Sequence, residues 1–164
     1  AAAPQRTCTL PPSRVEAGCT SVVATIRDGV VTVANAGDSR AVLCRGGVAK
    51  PLSEDHKPAM PGELQRIEKA GGWVTQMGRI NGNLNLSRAL GDLKYKGDKQ
   101  RLRAEQIITA EPDVATHTLD EQDEFMVLGA PTRWRLEPCA VIASFSRLRA
   151  RTSERCSQPE PGDP

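Results

Sequence analysis

Aromatic side chains are nearly missing from this chain. Trp73, Tyr95, Phe125, Trp134 and Phe145 make up 3% of its 164 residues. Any core must therefore be assembled from Val, Leu, Ile and Ala, and a platform of rings for stacking nucleic-acid bases is excluded. An excess of one charge is missing too. The 22 basic and 20 acidic side chains leave a net charge of +2, too little to draw the chain to nucleic acid or to an acidic membrane. Paired cysteines are absent. Cys8, Cys19, Cys44, Cys139 and Cys156 are odd in number, scattered and without a CxxC spacing. That argues against a zinc ribbon or a disulfide-stapled secreted domain and points to a reducing compartment, the cytoplasm or nucleus. No apolar run is long enough for a membrane span, and Ala1–Arg6 does not open a secretory signal. The GxSxG elbow, the GxxxxGK[ST] phosphate loop and the HExxH zinc motif do not occur.

What is present divides into three stretches. Residues 1–17 are irregular, with Pro4, Pro11 and Pro12. Residues 130–164 hold six Arg, no Lys and five of the twelve prolines, and read as a disordered tail. Residues 1–129 together carry 16 basic and 16 acidic groups, and the ordered patterning lies in residues 18–129. Thr20–Ile26 and Val30–Asn35 are β-branched runs joined by Asp28-Gly29, which supplies the positive φ of a tight hairpin. Ser39–Cys44, Gly46-Gly47 and Val48–Leu52 predict a second hairpin. The runs are so continuously apolar that both sheet faces are expected to be covered. A helix is predicted after Pro61, with Leu64, Ile67 and Ala70 on one side and Gly71-Gly72 as its stop. Further strands are expected at Trp73–Thr75, Val114–Leu119 and Glu124–Leu128. Strands clustered apart from a helix make the fold class α+β, with antiparallel sheet.

Few residues stand out chemically. Asp38, in Asn35-Ala36-Gly37-Asp38-Ser39-Arg40, lies where one strand ends and the next begins. It suits a hard cation such as Mg²⁺ or Mn²⁺, or equally a turn that bonds its own backbone. The residues alone favour the turn. Asp55-His56 reads as a hydrogen-bonded pair that anchors its loop, and His117 as a sheet residue. The Asn/Gly stretch Arg79–Leu84 is a loop, since no helix opens after it.

Taken together these segments resemble the metal-dependent serine/threonine protein phosphatases of type 2C, the PPM family. The matching pieces are Gly18–Ala24, Val33–Leu43, Asp55-His56-Lys57-Pro58, Glu63 with Arg66-Ile67 and Ala70-Gly71-Gly72, Leu86–Asp92, and Glu111-Pro112-Asp113 with Asp123–Leu128. They follow the family's order over the central part of its domain. The resemblance implies two packed antiparallel sheets flanked by helices, here incomplete at both ends. It also implies hydrolysis of phosphoserine and phosphothreonine in phosphoprotein substrates by a water activated on Mg²⁺ or Mn²⁺. Of the family's metal ligands only Asp38 has a counterpart, matching a weaker third site. Arg88 matches the flap region as a substrate contact. No residue matches the family's catalytic acid, and its "DGHGG" and "DGIWD" motifs have no counterpart. After Leu128 the chain departs from the family's text, so residues 130–164 read as unrelated to the domain. The expectation is thus a phosphatase by family, inactive as this chain stands. The alternatives are a non-catalytic binding or regulatory fragment, or a truncated gene product.

Overall fold

The computed structural model describes residues 17–130. The readings of residues 1–17 and 130–164 as irregular segment and tail concern residues almost wholly outside that range. Among the described residues eight strands and one α-helix follow one another: β1 (Gly18–Cys19), β2 (Ser21–Arg27), β3 (Val30–Ala36), β4 (Arg40–Arg45), β5 (Val48–Pro51), α1 (Pro61–Lys69), β6 (Leu90–Gly91), β7 (Asp113–Thr118) and β8 (Asp123–Gly129). Short 3₁₀ turns lie at Leu93–Tyr95 and Arg103–Glu105.

Both predicted hairpins form for the predicted reason. Arg27 pairs with Val30 across Asp28 (φ 50) and Gly29 (φ 73), and Arg45 with Val48 across Gly46 and Gly47. Two successive positive φ values match the twist of antiparallel strands. The strands assemble into one antiparallel sheet in the order β2-β3-β7 and another in the order β5-β4-β8, while β1 and β6 pair separately. Alternation along each strand then decides what is buried. Val31 and Val33 of β3 face Ala41 and Leu43 of β4 and Met126 of β8, with Leu52 closing the cluster. The core is aliphatic, as the scarcity of rings requires.

The outer faces differ from expectation. Val23 of β2 is 53% exposed and Val114 of β7 62%. The β-branched runs therefore report strand propensity, not burial on both sides. Trp73–Thr75 also differs: instead of a strand, only an isolated bridge joins Val74 to Ile80. Trp73 accepts from the Asn81 N–H and donates to Asn81 Oδ1, which curls this segment into a local turn.

Helix α1 starts with Pro61 in its first turn, where a missing N–H costs nothing. It ends in a Schellman arrangement: Gly71 at φ 83 donates to the Glu68 carbonyl, and Gly72 to that of Ile67. Ile67 packs with Ile80, Ala89, Tyr95 and Ile108 in a second, smaller core. Glu63, one turn before Ile67, lies on that same buried face. Among the described residues no helix is long and apolar enough to cross a membrane.

Candidate functional site

The chain passes from the first sheet to the second through Gly37-Asp38-Ser39, so Asp38 stands at a corner of the sandwich. Gly37 adopts φ 117, and a Cβ there would lie 2.3 Å from the Thr20 methyl and 2.9 Å from the Arg88 carbonyl. Only glycine lets the corner pass so close to its neighbours. Four further segments converge on it: the loop after β5, helix α1, the stretch before β6 and the first residue of β7.

The loop after β5 grips the corner with three consecutive residues, each turned to a different partner. Asp55 takes a bidentate pair from Arg40, at 2.7 and 3.1 Å. His56 donates its backbone N–H to the Gly37 carbonyl (2.9 Å), and its Nδ1 accepts the Gly37 N–H (3.0 Å). With Nδ1 accepting, the ring proton lies on Nε2 and is donated to Asp113 Oδ2 at 3.0 Å. Lys57 forms an ion pair with Asp38 Oδ2. Asn35 adds a strap, its Nδ2 donating to the carbonyls of Glu54 (2.8 Å) and Gly37 (3.2 Å).

The anchoring role expected of Asp55-His56 is present, but the two are not each other's partners. His56 reaches Asp113 while Asp55 reaches Arg40. His117 lies in β7 as expected, opposite Val31.

On the helix side the hub is Glu63, a residue that sequence reasoning placed on the helix without a role. Its Oε1 accepts from Arg66 (2.8 Å) and from Arg88 Nε and Nη2 (3.1 and 2.9 Å), and its Oε2 accepts the Ser87 hydroxyl. The available signal was its spacing from Ile67, because a carboxylate on a buried helical face requires a cationic partner. Arg88 continues the chain of charges, with Nη1 donating to Asp113 Oδ1 (2.7 Å) and to the Glu111 carbonyl (3.0 Å). One line of contacts thus runs Arg66–Glu63–Arg88–Asp113–His56–Gly37 and ends beside Asp38. Burial alone would raise the pKa of Glu63, but the bonds from Arg88 and Ser87 and the charge of Arg66 outweigh it, leaving the carboxyl below its ordinary value. Asp113 behaves alike: partial burial opposes ionisation, and the bonds from His56 and Arg88 prevail and lower it.

The two site residues taken from the resemblance are therefore brought to one end of the sandwich. Asp38 is nearly buried and paired with Lys57, while the Arg88 side chain is 15% exposed and held by two acids. Among the described residues, no three His, Cys, Asp or Glu side chains gather in a way that could hold a metal ion. The Mg²⁺ or Mn²⁺ that the resemblance implies thus does not fit the residues described: one carboxylate, already engaged by an ammonium, is too few oxygen donors.

A sequence profile described as protein phosphatase 2C matches residues 5–154. The chain belongs to the protein phosphatase 2C family. It is 56% identical over 113 residues to protein phosphatase 2C 1 of Paramecium tetraurelia, covering 69% of this chain and 37% of that protein. Protein phosphatase 2C homolog 2 of Aspergillus flavus is 48% identical over 130 residues, 79% of this chain and 30% of the relative. Among solved structures, the serine-threonine phosphatase 2C from Toxoplasma gondii superposes with a TM-score of 0.61 at 26% identity, over 77% of this chain and 45% of that one. The chain spans less than half the length of each of these relatives. Its two antiparallel sheets and single described helix are a part of the type 2C fold.

Proposed function

We propose that this chain is the part of a protein serine/threonine phosphatase that builds the Asp38 corner and the helix beside it. The protein that carries it together with the rest of the domain would hydrolyse phosphoserine and phosphothreonine in phosphoproteins. The observation that supports this reading is the convergence itself. Motif segments from five places in the sequence meet at one sandwich corner, and each contributes a side chain or carbonyl that fixes the next. A divalent metal supplies the family with an acidified water and charge neutralisation at phosphorus. What this chain's own residues do is structural in kind: they fix the direction of one carboxylate and hold Arg88 for the phosphopeptide side of the site.

On this reading the 164-residue chain alone is inert, since nothing described in it can acidify a water, and phosphate-ester hydrolysis is among the slowest uncatalysed reactions. Hydrolysis of p-nitrophenyl phosphate and of a phosphothreonine peptide, with Mn²⁺ and with chelator, tests both halves. The short chain should give no metal-dependent turnover. A longer protein that restores the family's domain on either side should be active, and lose activity with chelator. Turnover by the short chain would mean that its ligands lie elsewhere, and an inactive complete domain would favour a binding or regulatory role.

A further inference from the structure

The disagreement between Asp38 and the implied metal can be taken further. Asp38 and Asp55 are two acids, and Lys57 and Arg40 two cations, arranged in alternation. Lys57 pairs with Asp38 and lies 4.0 Å from Asp55, which in turn holds Arg40 in two bonds. The quartet is neutral without any added ion. Its position is fixed by the backbone: the two hydrogen bonds between Gly37 and His56 set the following residues, Asp38 and Lys57, side by side. Pro58, itself buried, restricts the chain immediately beyond. Asp38 has a side-chain exposure of 6%, so its carboxylate requires a cationic partner.

We propose that Lys57 is the resident counter-cation of Asp38, so that a divalent ion reaches this carboxylate only by displacing the ammonium. The inference rests on the functional reading above and adds a residue that sets the metal threshold of this corner. A divalent ion gains its affinity from several oxygen donors at once, and must here win its first carboxylate against a tethered charge.

The experiment titrates the 164-residue chain with Mn²⁺, following the free ion by electron paramagnetic resonance. Lys57→Met removes the charge and keeps the length of the side chain. It should bind Mn²⁺ at least about tenfold more tightly than the parent, a change of about 1.4 kcal/mol. Adding Asp38→Asn should abolish that gain, and Lys57→Arg should behave like the parent. Equal affinities in the parent and in Lys57→Met would overturn the proposal. A second measurement needs no substitution: as Mg²⁺ is added to the parent, the Lys57 Nζ resonance and the Asp38 carboxyl carbon should move only together. Movement of the Asp38 carboxyl carbon with the Lys57 resonance unmoved would also overturn it. Neither readout depends on turnover, so an inactive phosphatase and a failed competition remain separate results.

Discussion

The sandwich interior and the helix-side network hold the chain together by opposite means. Between the sheets, Val31, Val33, Ala41, Leu43 and Met126 meet with no charged group among them. Their stabilisation is proportional to area removed from water, has no directional demand and does not titrate. Between α1 and β7, Glu63, Arg66, Arg88 and Asp113 meet with every bond directed. Here the contribution to stability is small or even unfavourable compared with an apolar substitute, but the loss of one member is expensive, because it strands charges already withdrawn from water. The sandwich can absorb a wrong-sized side chain at a graded cost. The network cannot, and it is the network that reaches the Asp38 corner.

The largest effect should come from breaking its hub. Glu63→Ala leaves Arg66 and Arg88 without their shared carboxylate, and should cost about 3–5 kcal/mol in urea unfolding of the chain. A loss below about 1 kcal/mol would mean that water replaces the carboxylate freely and that the network is not closed. In the sandwich, Leu43→Ala should cost about 3 kcal/mol, through lost transfer energy and the cavity left behind. Its cost should be the same at pH 4 and pH 7, as the removed atoms lie in an aliphatic cluster.

Acid provides the finest comparison. The native carboxyls of Glu63 and Asp113 ionise below their ordinary values. Their contribution is therefore complete above the unfolded carboxyl range near pH 4, and is lost as pH falls through the depressed native values. The parent should lose stability in that window, and Glu63→Gln should show a shallower loss while Leu43→Ala keeps the parent slope. Parallel curves for all three proteins would place the acid-sensitive groups elsewhere.

Local features were legible in the sequence wherever one or two residues dictate backbone geometry. Asp28-Gly29 and Gly46-Gly47 gave the hairpins, and Pro61 and Gly71-Gly72 bounded the helix. Reading failed where a property depends on distant neighbours. Trp73–Thr75 has strand composition but no strand lies beside it, so it closes on Asn81 instead. Val23 and Val114 have core composition but lie on an outer face. Asp55 and His56 were matched because they are adjacent, yet each is held by a partner distant in sequence, Arg40 and Asp113. Glu63 could have been found from its four-residue spacing to Ile67, but its partners could not.

The sequence by itself determined the two hairpins, the helix and the family, because φ preferences, side-chain branching and motif order are written in consecutive residues. The tertiary structure alone decided which charges meet. Lys57 finds Asp38 across 19 residues, Arg88 finds Glu63 across 25, and His56 finds Asp113 across 57. A hydrogen bond forms only within about 3 Å and along its own axis, and a distance of that kind between such remote residues exists only once the two sheets and the helix have packed.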